Sequence, residues 1–401
     1  MSGAIGSPVG VLQMVDSLVA GGLERVAVNL ANSLPRSRYR AHLCTTRRDG
    51  PLDENVSADV ERLRLRRSGR FDLLALRRLV AYIRANEIRL IHAHGTSLFL
   101  AVLAARFAPR PPVVWHDHFG PEERPVWLYG PVVRRVAAVI AVNESLARWS
   151  RARLGVPKDR VYYIPNFAQA PADVRPAEDL PGASGSRIVC VANLRHPKDH
   201  STLLHAMKIV LRRVPEAGLL LVGEPSEPEY VAEVRRLIAE EGLEHHVWCL
   251  GFRPDVAAVL RACDVGVLSS TSEGFPLALV EYGLAGLPVV ATAVGQCPEI
   301  LLNGEAGWLA PPASPEQLAE KLVHVLTSPA EARQKSERLK LHVMERYSPT
   351  AVLERVCAVY DTILGEGDKT TDPRSYAADG LPGARGKGRP VAGLRNGTAP
   401  R

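Results

Sequence analysis

No uncharged stretch of the sequence reaches the roughly 18 residues that a membrane-spanning helix requires. Residues 1–10 also lack the basic segment and the apolar core of a secretory leader. The six cysteines are scattered without a CxxC pair or a metal-like spacing, as reduced thiols in a protein core would be. We therefore expect a cytoplasmic protein that has no transmembrane anchor.

Aromatic residues are scarce, at 5% of the chain, while the formal net charge is +7. The most basic segment, residues 61–78, contains seven arginines against only Glu61 and Asp72. Aromatic side chains do not alternate with these arginines as a stacking platform for bases would require, so no nucleic-acid partner is expected. Two interpretations of the segment remain open: the solvated face of a helix, or a surface that contacts an anionic membrane or acceptor.

The length and the alternation of apolar segments predict two α/β domains. At 401 residues the chain exceeds the roughly 100–200 residues of one ordinary domain. Short β-branched runs alternate with longer segments of helical periodicity, one of them a helix expected at residues 132–138. This order is typical of doubly wound parallel sheets with helices on both faces. It also implies a cleft between the two domains.

The boundaries follow from where this rhythm stops. Residues 1–168 are predicted to form the N-terminal Rossmann-like domain and residues 187–346 the C-terminal one. Residues 169–186 are rich in proline, alanine, glycine and serine, which predicts a linker. Residues 347–364 predict a C-terminal helix that packs back toward the N-terminal domain. Residues 365–401 contain few large apolar side chains, so we expect a disordered tail.

Gly21 and Gly22 follow the first predicted strand, and ligands of open α/β sheets bind beyond the carboxyl ends of strands. Two glycines allow close backbone approach, and the following helix presents free N–H groups. A Gly-Gly pair alone is more typical of a plain turn, because no GxGxxG motif or Walker lysine accompanies it. Its interpretation depends on a partner motif elsewhere.

Glu273 and Glu281 form the most informative pair. Glu273 lies just before a predicted helix and Glu281 two turns along it, about 12 Å away if the whole segment is helical. That distance matches a sugar, a diphosphate and a ribose. Glu281 lies in an apolar run, where a buried carboxylate requires strong donors such as vicinal ribose hydroxyls. The alternative is an exposed acid on a helix.

Cations and imidazoles follow two other predicted strands. Arg195 and Lys198 come after the first strand of the second domain and can offset phosphate charge in the same cleft. His116 and His118 lie at a strand end in the first domain, where an imidazole can hydrogen-bond a substrate hydroxyl. Structural histidines are the alternative. No metal site is expected, because further ligands at regular spacing are missing.

Together these segments resemble family 4 of the retaining GT-B glycosyltransferases, which transfer sugars from UDP- or GDP-activated donors in bacterial polysaccharide and glycolipid synthesis. The resemblance extends to about Leu364 and is most specific in the Glu-x7-Glu spacing of residues 273–281. It implies that Glu281 holds the ribose hydroxyls, that Glu273 faces the donor sugar, and that nearby backbone amides meet the diphosphate.

The resemblance also implies a set of site residues. Glu273, Lys198 and His116 are the expected catalytic group, with His118 as the alternative contact to the sugar. The expected donor-binding residues are Gly21, Gly22, Arg195, Lys198, Gly251, Phe252, Gly274, Phe275, Pro276, Leu277 and Glu281. One position departs from the family pattern, because Asn193 stands where the family has an arginine. Arg195 is expected to supply the missing charge.

The function that the resemblance implies is retaining, metal-independent transfer of a sugar to a polysaccharide, glycolipid or lipid-linked acceptor. The nucleotide-sugar is a co-substrate, and no cofactor is expected. A peripheral contact with the inner face of the plasma membrane would suit a lipid-linked acceptor. Two alternatives remain open: a sugar-nucleotide epimerase with the same two-domain cleft, and a non-catalytic binding subunit, which Asn193 allows.

Overall fold

The computed structural model describes residues 7–19, 21–69, 71–118, 125–169 and 173–366. They form two α/β units, each built on a parallel sheet with helices packed against it. The predicted fold class is confirmed. The expected disordered tail lies almost entirely outside the described residues.

The N-terminal sheet is assembled from parallel strands that are mostly apolar and buried. Seven strands are described: β1 (Val9–Ser17), β2 (Tyr39–Arg48), β3 (Glu61–Arg64), β4 (Ile88–His94), β5 (Val113–Asp117), β6 (Ala138–Ala141) and β7 (Val161–Tyr163). Their order is β3-β2-β1-β4-β5-β6-β7. In the central strand, Val11 pairs with Ala41 of β2 and with Leu90 of β4. The strand order reverses between β1 and β4, where parallel sheets open a ligand crevice.

The helices of this half follow their strands. They are α1 (Gly22–Ser33), α2 (Leu73–Ala85), α3 (Leu98–Phe107), α4 (Val126–Val133) and α5 (Glu144–Ala152). Two begin with side-chain caps, since Asp72 accepts a hydrogen bond from the Ala75 amide and Asn143 from the Leu146 amide. Only residues 18–21 separate β1 from helix α1, so the amino terminus of α1 lies near the crevice.

The C-terminal sheet repeats the arrangement with six described strands. They are β8 (Arg187–Val191), β9 (Gly218–Val222), β10 (Val247–Gly251), β11 (Val265–Leu268), β12 (Val289–Thr292) and β13 (Trp308–Ala310). Their order is β10-β9-β8-β11-β12-β13, and all pairings are parallel. The reversal between β8 and β11 opens the second crevice.

Eight helices are described after the first domain. They are α6 (His200–Val210), α7 (Pro228–Glu240), α8 (Val256–Arg261), α9 (Leu277–Ala285), α10 (Cys297–Ile300), α11 (Pro315–Thr327), α12 (Pro329–Arg346) and α13 (Pro349–Leu364). Helix α13 returns to the N-terminal domain, where Tyr360 packs edge-on against Tyr39 of β2. No helix among the described residues is long and apolar enough to cross a membrane.

Three secondary-structure elements differ from the prediction: two strands were not predicted, and one helix was placed wrongly. Strands β3 and β13 were not predicted, because they are short edge strands and β3 reads Glu-Arg-Leu-Arg without an apolar run. The helix expected at residues 132–138 is wrong: α4 ends at Val133, and strand β6 begins at Ala138. The apolar residues on both sides of this turn conceal the change of element.

The arginine-rich segment 61–78 is not one helix face, since it runs from β3 into α2. Several of its arginines are neutralised locally: Arg62 and Arg64 pair with Asp53, and Arg66 pairs with Asp49. The charge of this segment is therefore lower than its composition indicates.

The described part of the 169–186 segment packs on the C-terminal domain. The Ala177 amide bonds the Ala258 carbonyl, and the Arg187 guanidinium donates to the carbonyls of Leu180 and Gly182. This connection is therefore bonded to the second domain at several points.

Candidate functional site

The carboxyl edges of the two sheets face each other, and side chains bond across the cleft between them. Arg25 of α1 forms an ion pair with Glu281 of α9 at 2.8 Å. The amide of Asn143 donates to the Gly274 carbonyl at 3.0 Å. The segment that holds Glu273 and Glu281 is thus contacted from the N-terminal domain at both ends.

Helix α9 is anchored to the sheet by the residue that follows Glu281. The Tyr282 hydroxyl accepts the Val191 amide at 2.7 Å and lies 3.1 Å from the Val267 carbonyl. A Cβ at Gly266 would come within 2.6 Å of the Tyr282 ring, so glycine is required beneath it. Since Tyr282 points into the core, the adjacent Glu281 is held on the cleft side of the helix.

Glu273 lies in a nearly closed environment and is compensated by a cation. Lys198 Nζ donates to Glu273 Oε1 at 2.5 Å, and the side chains are only 15% and 7% exposed. The Ser270 hydroxyl donates to the same oxygen at 2.6 Å. A Cβ at Gly295 would meet the Glu273 carbonyl at 1.9 Å, and the φ of Gly295 is +51°. Only glycine can therefore occupy position 295, which packs against the backbone of Glu273.

The loop that holds Lys198 is fastened to the loop that holds Glu273. The Thr271 amide donates to the Pro197 carbonyl at 2.9 Å, and the Ser269 hydroxyl donates to the Lys198 carbonyl at 2.9 Å. The expected convergence of Lys198 on the Glu273 side of the cleft is present in the structure.

Asn193 and Arg195 differ in what they contact. The Asn193 side chain accepts the Glu224 amide at 3.1 Å, so it joins the loop after β8 to the loop after β9. Arg195 is exposed and lies near Glu24 of α1. Burial, together with the nearby charge of Asp16, raises the pKa of Glu24 to about 7, although Arg195 opposes the shift. The role expected of Arg195 stays a prediction.

The Gly-Gly loop approaches α9 from the opposite domain. Gly21 caps α1, and a Cβ there would lie 2.2 Å from a carboxylate oxygen of Glu24. Gly22 is the first residue of the helix, and a Cβ there would be 3.8 Å from the Leu277 side chain. The amino termini of α1 and α9 therefore meet at the cleft, and both ends favour an anion.

A pocket of about 220 Å³ lies beside Glu281, between the domains. Of the two residues predicted here, Phe252 lines the pocket, and Gly251 precedes it at the end of β10 with a left-handed φ of +68°. Arg25 lies on the other wall. The pocket is of a size to receive a nucleoside, with Glu281 at its edge.

The other predicted residues of the loop between Glu273 and α9 are also brought together. Gly274 lies against the first domain, since a Cβ there would be 3.1 Å from the His118 carbonyl. Phe275 and Leu277 are buried, and Pro276 caps α9. The loop is thus packed from behind and faces the cleft with its backbone.

The histidines form a stack at the ends of β4 and β5. His116 is buried among His92, His94 and His118, and neither of its ring nitrogens has a hydrogen-bond partner within the described ranges. His118 is half-buried and lies next to Gly274. The preference for His116 over His118 stays a prediction, and the burial of His116 argues against it.

Ligand nitrogens of His92, His94 and His116 lie within 4.8 Å of one another. The rings of His92 and His94 are stacked with an interplanar angle of 17°, and those of His92 and His116 with 14°. Lone pairs of parallel rings run side by side, whereas a zinc ion requires them to converge tetrahedrally. The rings as placed are better suited to packing than to coordination, and the expectation of no metal remains a prediction.

Sequence reasoning missed several residues of the cleft. Glu24 and Arg25, which follow Gly21 and Gly22 closely, and Asn143 were not predicted as site residues. Their position directly after strands at the carboxyl edge was the available signal. Asn143 is 131 residues from Gly274 and Arg25 is 256 residues from Glu281, and no local pattern indicates either pairing.

Each half of the chain matches a known family model. Residues 20–169 match glycosyltransferase family 4, and residues 181–341 match glycosyl transferases group 1. The two matches fall on the two domains described above.

Two curated relatives are mannosyltransferases. The phosphatidyl-myo-inositol mannosyltransferase of Mycobacterium tuberculosis is 26% identical over 354 residues, covering 85% of this chain and 89% of that protein. The MMP alpha-(1->4)-mannosyltransferase of Mycolicibacterium hassiacum is 29% identical over 253 residues, covering 59% of this chain. That match spans about three fifths of the relative's length, 60%.

Solved structures share the fold. Anabaena HepE, in complex with UDP and glucose, superposes with a TM-score of 0.74 at 22% identity and covers 88% of this chain and 100% of its own. Sucrose-phosphate synthase from Thermosynechococcus elongatus has a TM-score of 0.73 at 20% identity, covering 90% and 100%. With one family model on each domain and this shared fold, the chain belongs to family 4 of the GT-B glycosyltransferases.

Proposed function

We propose that this glycosyltransferase transfers a sugar from a UDP- or GDP-activated donor to a glycan or lipid-linked acceptor, with retention of the anomeric configuration. The observation that carries the proposal is the arrangement of Glu281 beside a nucleoside-sized pocket and Glu273 beside Lys198. HepE, a structural neighbour, is described in complex with UDP-glucose. The two mannosyltransferase relatives support a hexose as the transferred group.

The donor would lie along α9. Its ribose hydroxyls would donate to Glu281, which requires Arg25 to release that carboxylate. The diphosphate would meet the amino termini of α1 and α9, whose free N–H groups and dipoles favour negative charge. Lys198 would stabilise the charge that develops on the leaving diphosphate. We assign no covalent nucleophile.

Positive charge for the leaving group is available from side chains. Lys198 and Arg195 lie on the C-terminal wall, and Arg25 lies on the N-terminal wall. These cations are the basis on which we propose transfer without a metal ion. Rates that stay unchanged when EDTA is added, and when Mg²⁺ or Mn²⁺ is restored, are the expected result. A loss with EDTA that Mg²⁺ or Mn²⁺ reverses would contradict it.

The nucleotide-sugar is identified by a mass-spectrometric screen of UDP- and GDP-sugars for binding and turnover. With the donor in hand, Glu281→Ala should weaken nucleotide binding, and Glu273→Ala should mainly lower turnover. Glu320→Ala is a matched control, because that carboxylate is exposed on α11. Unchanged affinity and rate in the first two variants would refute the assignment. The anomeric configuration of the product, read by proton NMR, tests retention.

We propose an anionic group on the acceptor. Asp16 lies at the end of β1, where both of its oxygens accept hydroxyl hydrogens, from Thr46 and from Thr96. Arg47 and Arg67 approach the same carboxylate only loosely, at 3.8 and 3.6 Å. The Arg67 side chain is 9% exposed, and its Nε is buried without a hydrogen-bond partner in the part of the chain described. One positive charge is therefore left over.

The names of two relatives agree with such an acceptor, since one acts on phosphatidyl-myo-inositol and another on D-inositol 3-phosphate. Pairs of candidate acceptors that differ only by a phosphate test the proposal. The phosphorylated member should have the higher kcat/KM, and Arg67→Gln should remove the difference. Arg66→Gln is the control, because Arg66 is exposed and paired with Asp49. Equal rates for both members of each pair would contradict the idea.

A peripheral contact with an anionic membrane is proposed for the N-terminal domain. Phe71 is 93% exposed, and Leu73 and Leu74 at the start of α2 are also exposed. Trp127 of α4 is 78% exposed. The exposed arginines Arg77 and Arg78 lie on the same helix, α2, as Leu73 and Leu74. Apolar side chains with neighbouring cations are typical of interfacial membrane binding.

Sedimentation with liposomes tests this contact. Wild type should pellet with vesicles containing anionic lipid and stay in solution with neutral vesicles. Leu74→Glu should abolish pelleting, whereas Leu341→Glu, at an equally exposed leucine of α12 in the other domain, should not. Equal recovery in the soluble fraction with and without anionic vesicles would contradict the proposal.

The donor screen also separates the two alternative functions. An epimerase would convert a UDP-sugar without any acceptor, and a binding subunit would bind nucleotide without transfer to any member of an acceptor panel. The Lys198–Glu273 ion pair favours transfer over the two alternatives, because Lys198 can stabilise the negative charge of a leaving diphosphate.

A further inference from the structure

A chain of buried hydrogen bonds connects the C-terminal helix α13 to His118 at the cleft. The Gln13 amide nitrogen donates to the Tyr360 hydroxyl at 3.1 Å, and the Gln13 oxygen lies 2.9 Å from His94 Nε2. His94 Nδ1 lies 3.0 Å from His118 Nε2. Gln13, His94 and Tyr360 are fully buried. No bulk water competes for the first three members of the chain.

The protonation of each ring follows from this geometry. Burial lowers the pKa of His92 to about 3 and that of His94 well below its ordinary value, so each ring is neutral and carries one hydrogen. Because Gln13 donates to Tyr360, the Tyr360 hydroxyl has its own hydrogen free for His92 Nδ1, at 2.5 Å. His94 Nε2 then donates to the Gln13 oxygen. His94 Nδ1 must accept, and His118 Nε2 must donate.

The amide of Gln13 is therefore the element that sets the direction of the chain. If the amide turned over, every donor and acceptor from Tyr360 to His118 would exchange roles. An amide offers one donor side and one acceptor side, so the tautomers at the two ends cannot be chosen independently. The Tyr360 hydroxyl holds the amide at one end and His94 holds it at the other.

The backbone of His118 lies against the loop that follows Glu273. Its carbonyl is 3.1 Å from the position that a Cβ at Gly274 would occupy, and Gly274 follows Glu273 directly. The ring of His118 stacks on His116 at a centroid distance of 4.2 Å. The ring is thus stacked on His116, and its Nε2 is hydrogen-bonded to His94 Nδ1.

We propose that Gln13, His94 and Tyr360 are positioning residues that fix the tautomer of His118 for its contact with the donor sugar. This inference rests on the proposed function. Tyr360 belongs to the helix that follows the C-terminal domain in sequence, so the cleft histidine is correctly set only when α13 is docked on the N-terminal sheet. None of the three touches substrate.

Histidine tautomers can be read directly by NMR in the full-length protein labelled with 15N-histidine. At a pH at which the His118 ring is neutral, wild type should show a protonated Nε2 and an unprotonated Nδ1. Tyr360→Phe keeps the ring in place but releases the Gln13 amide, so the two tautomers of His118 should become mixed. Gln13→Met, which breaks the chain at its centre, should give the same spectrum.

Tyr39→Phe is the matched control. The Tyr39 hydroxyl donates to Asp361, which lies on α13 next to Tyr360, at 3.1 Å. It is not a member of the hydrogen-bond chain from Tyr360 to His118. The Tyr39→Phe substitution should therefore leave the NMR signals of His118 unchanged. In assays with the donor found by screening, Tyr360→Phe should lower kcat about 10-fold, because a small misplacement of a sugar contact has effects of this order or larger. The affinity for free nucleoside diphosphate should not change.

An unmixed His118 tautomer in both Tyr360→Phe and Gln13→Met would overturn the inference. Mixing of equal extent in Tyr39→Phe would also overturn it, because loosening of the helix would then be the cause. If the tautomer responds as expected but the wild-type protein transfers no sugar from any donor, the proposed function fails while the hydrogen-bond chain stands. The NMR result thus separates the two failures.

Discussion

Removing the charge of Lys198 should affect stability and catalysis by different mechanisms. Lys198→Met keeps an unbranched side chain of similar length and deletes the ammonium group. It leaves the Glu273 carboxylate, only 7% exposed, with the Ser270 hydroxyl as its remaining described donor. A buried carboxylate without its cation is costly, and the same cation is proposed to stabilise the departing diphosphate.

The expected magnitudes follow from the burial of the pair. Breaking a buried ion pair costs about 3–5 kcal/mol, and the 15% exposure of Lys198 places this case near the lower end, about 3 kcal/mol. For a domain of this size that corresponds to a fall in Tm of roughly 6–12 °C. Loss of a group that stabilises transition-state charge lowers kcat by about 10²–10³-fold.

A double-mutant cycle separates the two effects. Lys198→Met combined with Glu273→Gln removes both charges, so the free energy of unfolding in urea should return to within about 1 kcal/mol of wild type. Turnover should stay low, because neither charge is present for the transferred group. Lys208→Met is the control, since it removes an exposed pair with Glu241 and should cost at most about 1 kcal/mol.

Two results would refute this reasoning. If Lys198→Met changes the free energy of unfolding by no more than the Lys208→Met control, the pair does not have the buried character assigned to it. If the double variant recovers turnover together with stability, Lys198 has only a structural role. Both quantities are measured on the same preparations by urea denaturation and by initial rates.

Three further outcomes are expected. Arg25→Ala should tighten binding of uridine or guanosine about 2–5-fold in an NMR titration. The reason is that the ribose hydroxyls then no longer compete with the partly exposed Arg25 for Glu281. Weaker binding would contradict this. Glu24 has a folded pKa of about 7 against 4.5, so the folded state keeps a proton that the unfolded state loses, and stability should fall by about 3 kcal/mol between pH 4.5 and 7. Urea denaturation of Glu24→Gln should lack this fall. Gly295→Ala should lower kcat at least 10-fold in initial-rate assays, because its Cβ would overlap a backbone carbonyl; Gly242→Ala, at a similar φ of +67° with no neighbour within 4 Å, should leave kcat unchanged.

Much of the fold was predictable because the signal is local. Parallel strands buried on both faces appear as short β-branched runs, and β1 and β8 were found in this way. Strand β3 was missed because an edge strand exposes its side chains, and α4 was misplaced because apolar residues continue through its end. A periodic pattern of apolar residues marks the buried face of a strand or helix. Strand β3 and the end of α4 lack such a pattern.

The sequence by itself determined the two parallel-sheet domains and the spacing of Glu273 and Glu281, because both depend on residues close together in the chain. Only the tertiary structure decided what those carboxylates contact. Lys198 is 75 residues from Glu273, Arg25 is 256 from Glu281, and Tyr360 is 347 from Gln13. Such pairs form where sheet edges and a returning helix meet, and no pattern within one segment contains that information.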